Sequence, residues 1–153
     1  MAILTGKRKT GIHSSKVSGF LTEAEEKGWY SDICVVEHDG TDASVIEQMK
    51  KIFDGPKPDG VYISAALSRE ALVFFEKLET RSTQIVMTDL RLEQQMLLSS
   101  GKVAASIFQN PYRQGKHSIE KLHNQILNNT EEEEICQIIP QALFASNLVL
   151  CEM

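Results

Sequence analysis

Short apolar runs alternate along the chain with longer segments in which apolar residues recur at helical spacing. The runs have the length and continuity of strands that helices cover on both faces of a sheet. The predicted strands span residues 1–5, 32–37, 61–66, 84–88 and 104–108. Their alternation with helical segments predicts an α/β fold with a parallel sheet flanked by helices, in which the run 61–66 is the central strand.

The segments between these runs predict amphipathic helices. The first is expected to start near Ser15 and to end at Gly28. In the second, Ser44 and Glu47 are spaced as in a capping box. The third is expected to follow Ser68 as its N-cap, and a short fourth helix follows the fourth strand.

A fifth helix is predicted after the last of these strands. Pro111 suits its first turn, and Ile119, Leu122 and Ile126 form an apolar stripe along it. The glutamates at 131–134 are expected to form a solvated turn, after which residues 135–150 resume a strand-like pattern.

Composition indicates one domain without a nucleic-acid-binding surface of its own. The chain has 153 residues, 42% of them hydrophobic, which suffices for a single core. Its formal net charge is -5, and its longest basic run is Lys7-Arg8-Lys9. No apolar run reaches the roughly 18 residues of a membrane helix, and the N-terminus is too short for a signal-peptide core.

Motifs for catalysis and cofactor binding are absent from the sequence. Gly6 and Gly11 have the spacing of a phosphate-binding loop, but Ile12 and His13 follow where that motif requires Lys and then Ser or Thr. The dinucleotide, serine-hydrolase and zinc-protease patterns do not occur either. We therefore expect no cofactor, no metal and no enzymatic activity.

The three cysteines, Cys34, Cys136 and Cys151, show no paired spacing. Cys34 lies within the second predicted strand, so it is expected to be an inert core thiol. This usage predicts a reducing, cytoplasmic location.

Asp89 is the most informative polar residue at a strand end. Ligands of open α/β sheets bind beyond the carboxyl ends of the strands. Asp89 follows the buried run 84–88, where an unpaired carboxylate would be costly. It is expected either to accept hydrogen bonds from two vicinal hydroxyls of a polyol or to cap the next helix.

A second set of polar residues follows the first strand. Lys7, Lys9, His13 and Lys16 could bind an anion at a helix N-terminus. Surface lysines are also commonly no more than solvated, and the sequence leaves both interpretations open.

Several motifs resemble the effector-binding domain of lactose-repressor-type regulators and of periplasmic sugar-binding proteins. The matching motifs are Lys16-x-x-Gly19-Phe20, Pro58-Asp59-Gly60-Val61-Tyr62, Thr88-Asp89 and the strand, turn and helix start from Ala104 to Gly115. Residues 1–150 together resemble the C-terminal lobe of that domain. Where many members end the central strand with Asn-Asp, this chain has Ala65-Ala66.

The resemblance implies a Rossmann-like lobe of the type 1 periplasmic-binding-protein-like fold, which senses a sugar or small polyol. The implied ligand-binding residues are Lys16, Asp89 and Gln109, with His13, Asp39 and Asn110 at neighbouring turns. We expect Lys16, Asp89 and Gln109 on one exposed edge of the sheet.

The resemblance also implies that the chain is a fragment, residues 1–153 being one lobe. The family's N-terminal lobe and DNA-binding helix-turn-helix have no counterpart in it, so DNA would be bound only through such a domain. Helix 111–128 would belong to the N-terminal lobe, and its apolar stripe predicts a homodimer. The alternatives are a fragment of a transporter's periplasmic sugar receptor and a small stand-alone α/β enzyme.

Overall fold

The structure, a computed structural model, describes residues 1–9, 11–29, 33–80, 82–128 and 137–148. Strands and helices alternate along these residues as the sequence predicts. The elements are β1 (Ala2–Gly6), α1 (Gly11–Glu26), β2 (Cys34–His38), α2 (Asp42–Phe53), β3 (Gly60–Ile63), α3 (Arg69–Lys77), β4 (Gln84–Thr88), α4 (Leu92–Ser99), β5 (Ala105–Phe108), α5 (Pro111–Asn128) and β6 (Gln141–Leu143).

The strands form one six-stranded sheet in the order β2-β1-β3-β4-β5-β6, with β3 in its interior as predicted. Strands β1 to β5 are parallel, so their carboxyl ends lie at the same edge. Strand β6 departs from the predicted parallel sheet because it pairs antiparallel with β5, Phe108 lying opposite Gln141. An antiparallel edge strand needs no helical crossover over a sheet face.

Helices α2 and α3 each contribute a phenylalanine to the core. Phe75 of α3 is fully buried and meets Phe53 of α2 edge to face, with ring centroids 6.5 Å apart. The prediction that α2 is amphipathic is confirmed, since its buried residues are Val45, Met49, Ile52 and Phe53. Burial of apolar surface stabilises by about 25 cal/mol per Å². This packing fixes the strands and therefore the turns that follow them.

Helix α1 begins at Gly11, about one turn before the predicted start at Ser15. Ile12 in the first turn is exposed to solvent, and the buried residues of the helix, Val17 and Ala24, come after the predicted start. At the other end, Gly28 adopts a positive φ of 72° and closes the helix as predicted.

Of the two predicted helix N-caps, the one for α2 is wrong and the one for α3 is confirmed. Helix α2 is capped by Thr41, whose Oγ1 accepts the N–H of Ser44 at 3.3 Å, so the predicted capping box of Ser44 and Glu47 does not start this helix. Helix α3 is capped by Ser68 as predicted, its Oγ accepting the N–H of Ala71 at 3.0 Å.

Cys34 is exposed, so its prediction as a core thiol is wrong. It is the first residue of β2, and β2 is an edge strand whose outer side no other strand of the described residues covers. The position of Cys34 within an apolar run of the sequence therefore did not imply its burial. Cys136 and Cys151 lie outside the described residues.

Helix α5 turns its apolar side outward. Ile119, Leu122 and Ile126 are 60%, 51% and 69% exposed. The half-buried side chains of its described part are the polar residues His117, Lys121 and Asn124. The predicted stripe is thus present, but the described residues do not cover it.

Candidate functional site

The carboxyl edge of the sheet brings the turns after β1, β3, β4 and β5 together. Lys16, Asp89 and Gln109 all lie at this edge, as expected from the sequence. Asp89 and Gln109 directly follow β4 and β5. Lys16 belongs to α1, and its side chain extends to the end of β3. Their roles as ligand-binding residues stay predictions.

Asp89 and Gln109 are in direct contact. Gln109 Nε2 donates a hydrogen bond of 2.7 Å to Asp89 Oδ1. Both side chains are half-buried, so the carboxylate has a partner and still borders solvent. A carboxylate has acceptor capacity for several donors, so one bond from Gln109 leaves room for ligand hydroxyls.

The backbone of Asp89 is held in an unusual conformation. Its φ is 70°, a left-handed value that costs most L-residues energy and that Asp tolerates better than most. Its N–H donates to the carbonyl of Ile107 at 2.9 Å, and Ser106 Oγ donates to its carbonyl. Two contacts with β5 therefore fix the direction in which the carboxylate projects.

The alternative role of Asp89 as a helix cap is not observed. Helix α4 starts at Leu92 with Arg91 as its N-cap residue, and Arg91 N–H donates to Gln94 Oε1 at 2.8 Å. Asp89 lies before this cap and contacts Gln109 instead.

Asn110, by contrast, has a structural role in the turn after β5. Its Oδ1 accepts the N–H of Arg113 at 3.0 Å in the first turn of α5, and its φ is 51°. The residue is buried and its side chain caps the helix, and its role as a ligand-binding residue stays a prediction.

Asp89 and Gln109 line an open cleft of about 320 Å³ between the ends of β4 and β5. The full lining is Ala66, Asp89, Leu90, Arg91, Phe108, Gln109, Pro111 and Gln114. It combines apolar walls with one acid, one cation and two amides, a mixture typical of small-ligand sites. We call this the Asp89 cleft. Ala66 offers it no side-chain hydrogen bond.

Lys16 lies beside the cleft rather than in it. Its Nζ donates to the carbonyl of Ser64 at 3.0 Å, just after β3. Ser64 Oγ in turn donates to Thr5 Oγ1 at 2.7 Å, and both residues are fully buried. Lys16 therefore has a structural partner, and its charge stands at the end of β3.

His13 and Asp39 lie at the ends of β1 and β2, apart from the Asp89 cleft. The ring of His13 packs so closely on Gly6 that a Cβ there would lie 2.5 Å from Nε2. Asp39 Oδ1 accepts both the N–H and the hydroxyl of Thr41, at 2.9 and 2.7 Å. These two hydrogen bonds lower the pKa of Asp39. Asp39 is thus part of the α2 cap.

Sequence reasoning missed His38, which is buried beside His13. Burial and then the charge of His13 lower the pKa of His38, while Asp39 acts in the opposite direction. The available signal was a histidine directly after the second predicted strand, but an edge strand could equally have exposed it.

A larger hollow of about 500 Å³ lies at the opposite edge of the sheet and has a structural explanation. Its lining includes Lys102, whose Nζ donates to the carbonyls of Glu76 and Leu78 at the end of α3. Burial lowers the pKa of Lys102. This amine acts as a C-terminal cap of α3.

The described ranges contain no group of three or more His, Cys, Asp or Glu side chains that could hold a metal ion. Within the same ranges, no helix is both long and apolar enough to cross a membrane.

No protein-family model matches the chain, and no curated protein matches it in sequence. Solved structures do match. A protein assigned as a LacI transcriptional regulator from Bacteroides fragilis superposes with a TM-score of 0.83 and 16% identity, over 99% of this chain and 54% of its own. A glucose-galactose binding protein from Geobacillus stearothermophilus gives 0.76 and 21%, over 96% and 53%. A periplasmic ribose ABC transporter protein from Conexibacter woesei gives 0.79 and 14%, over 97% and 51%.

These similarities confirm the predicted periplasmic-binding-protein-like fold. At such identities they establish the fold alone. The chain spans about half the length of the solved chains that it matches.

The positive φ at Asp89 predicts an unusual order of stability for two variants that both lack the carboxylate. Asp89→Ala should be less stable than Asp89→Gly by about 1 kcal/mol, because alanine resists a left-handed backbone that glycine accepts. Urea unfolding measures the difference. The same pair at Asp59, which has no positive φ, should show alanine at least as stable as glycine. Equal stabilities of the two Asp89 variants would contradict the backbone assignment.

The lowered pKa of His38 predicts a loss of stability in mild acid. In the unfolded chain the imidazole of His38 is protonated near a pH of about 6.5, whereas in the folded chain it is protonated only at lower pH. The free energy of unfolding should therefore fall as the pH drops below about 6.5. Glu37 and Asp39, whose pKa values are also lowered, titrate below about pH 4.5 and act outside this window.

Urea unfolding at about pH 7.5 and about pH 5.5 tests this account. The variant His38→Gln should flatten the dependence, while His123→Gln, at an exposed position of α5, should retain it. An unchanged slope in His38→Gln would show that another group is responsible.

Proposed function

We propose that the chain is the C-terminal lobe of a two-lobed domain that binds a sugar or small polyol. In this proposal it is the sensing module of a cytoplasmic, lactose-repressor-type transcription regulator, and it binds its ligand without catalysis. The observation that carries the proposal is the contact of Asp89 with Gln109 in an open cleft at the carboxyl edge of the sheet. The fold of sugar-binding proteins supports it.

The chemistry of the Asp89 cleft suits a polyol. Asp89 accepts hydrogen bonds from vicinal hydroxyls, and charge-assisted bonds of this kind are the strong ones. Gln109 Nε2 holds the carboxylate in place while the amide keeps acceptor and donor capacity for the ligand. Arg91 and Gln114 on the cleft wall add further donors.

The openness of the site supports a second lobe. Small-ligand pockets enclose roughly 70–90% of their ligand, and the Asp89 cleft is open to solvent along one side. Closure of a second lobe over the ligand would complete the enclosure. Ligand binding would then shift a hinge equilibrium, and the regulator would transmit that shift to its DNA-binding domain.

Helix α5 supports the two-lobed arrangement. Its apolar stripe faces outward and its polar side is half-buried, which is the reverse of a helix that packs on its own sheet. We propose that helix 111–128 packs against the second lobe. On its own, the 153-residue chain would cover the stripe with a second copy, which is the expected homodimer.

The second candidate is a periplasmic sugar receptor of a transporter, favoured by the similarity to the ribose and glucose-galactose proteins. The coding sequence upstream distinguishes the two. A helix-turn-helix there would support the regulator, and a signal peptide would support the receptor.

Sugar titrations of the chain test the proposed function. D-glucose, D-galactose and D-ribose should each be tried, and at least one should shift the backbone amide resonances of Asp89 and Gln109 with a dissociation constant weaker than about 1 mM, because half a cleft binds poorly. Asp89→Asn should weaken the effect, while Asp59→Asn, at an exposed site before β3, should not. Micromolar binding by calorimetry would contradict the two-lobed site. If none of the three sugars shifts the amide resonance of either residue, sugar binding at this site is contradicted.

Light scattering tests the role of the α5 stripe. The chain should be dimeric at high concentration, and Leu122→Lys should shift it toward monomer because a charge in an apolar interface is costly. Gln125→Lys adds the same charge at an exposed polar position of the same helix and should leave the dimer intact. A clean monomer of the unmodified chain would refute the intermolecular contact.

A further inference from the structure

The Asp89 cleft contains two opposite charges that do not neutralise each other. Asp89 and Arg91 both line it, and both belong to the turn between β4 and α4. The carboxylate of Asp89 accepts from Gln109 Nε2 at 2.7 Å, and no ion pair of the described residues joins it to Arg91. The cleft therefore offers a ligand a negative and a positive group at separate places.

The guanidinium of Arg91 has no acidic partner among the described residues. The ion pairs of that part of the chain lie in or next to β2, α1, α2 and α5. Glu93, the next acid after Arg91, lines a different hollow between α3 and α4, together with Leu72 and Met96. Arg91 caps α4 through its backbone N–H, which donates to Gln94 Oε1, so the cap does not occupy the guanidinium. The exposed positive charge of Arg91 is thus available to a ligand.

A second positive charge stands beside the cleft. Lys16 Nζ lies at the end of β3, where it donates to the neutral carbonyl of Ser64. Among the described residues that line the cleft, Asp89 is the only acid. The site thus has more positive than negative groups, although the whole chain has a net charge of -5. A local field of this sign attracts an anionic ligand.

Closure of the proposed second lobe would make the charge of Arg91 more important. It would remove water from the cleft, and a guanidinium that loses water without gaining an anionic partner is costly. A neutral polyol could satisfy Asp89 and Gln109, but it would offer Arg91 no negative charge. A carboxylate on the ligand would balance the guanidinium, whose planar fork binds a carboxylate through two parallel hydrogen bonds.

We propose that the ligand of the Asp89 cleft is a sugar acid, a polyol that carries one carboxylate, and that Arg91 selects it over the neutral sugar. Asp89 and Gln109 would bind its hydroxyls, and Arg91 would bind its carboxylate. The single cation in the lining matches the single charge of a carboxylate. A phosphate monoester carries a charge of about -1.5 to -2 and would repel Asp89 more strongly. This inference rests on the proposed function.

Amide NMR titrations of the 153-residue chain with matched pairs of sugars test the ligand class. The pairs are D-galactose with D-galacturonate and D-glucose with D-glucuronate, which differ only in the carboxylate at C6. Sodium acetate at matched ionic strength is the control. In at least one pair both sugars should shift the resonances of Asp89 and Gln109. The acid should bind about two- to fivefold more tightly, the range of one exposed ion pair.

The 6-phosphates of the same two neutral sugars distinguish a carboxylate from a phosphate. Each should bind less tightly than the corresponding sugar acid, because its larger negative charge lies beside Asp89. Tighter binding of a 6-phosphate than of the acid would overturn the assignment of a carboxylate.

Variants of two arginines show whether the preference depends on contact with Arg91. Arg91→Gln should bring the acid and the neutral sugar to equal affinity, and Arg91→Lys, which keeps the charge but lacks the fork, should keep part of the preference. Arg69→Gln removes the same charge from the exposed start of α3, outside the cleft lining, and should keep the full preference. Equal losses in Arg91→Gln and Arg69→Gln would overturn the role of Arg91.

The sugar acid and the proposed function fail in different ways. Equal affinities within both pairs, with shifts at Asp89 and Gln109, would retain the sugar site and overturn the sugar acid. The absence of any shift at these residues with all four sugars would contradict the proposed function itself. Acetate binding as tight as that of the acids would show that the hydroxyls contribute nothing, which would overturn the sugar acid as well.

Discussion

The hydrogen bond from Gln109 to Asp89 joins the two strand-to-helix turns that follow β4 and β5. It depends on the parallel pairing of β4 with β5, which places the ends of both strands at one edge. The same pairing lets β5 hold the N–H and carbonyl of Asp89 in a left-handed backbone conformation. The carboxylate is therefore positioned before any ligand arrives, and preorganisation of this kind lowers the cost of binding.

Much of this architecture could be predicted from the sequence because its signals are local. The apolar run of β4 was located with its bounds, and Ser68 was recognised as a cap, since each depends on a few adjacent residues. Asp89 was singled out because a carboxylate after a buried strand needs a partner. What the pattern could not supply was the identity of that partner, which lies across a strand pairing.

The errors share a physical cause, which is that position within the sheet overrides local pattern. Cys34 has the surroundings of a core residue in sequence, yet an edge strand exposes it. His38 was overlooked because its burial depends on its pairing with Gly6 and on the packing of α1. The order and direction of strands, such as the antiparallel β6, likewise cannot be predicted from the periodicity of apolar residues.

The central claim is that a polyol binds where Asp89 and Gln109 meet. A crystal structure of the chain soaked with D-galactose at high concentration tests it most directly. The account predicts sugar hydroxyls within hydrogen-bond distance of the Asp89 carboxylate, in the cleft between the ends of β4 and β5. Sugar bound instead in the hollow beside Lys102, at the opposite edge of the sheet, with the Asp89 cleft empty, would contradict it.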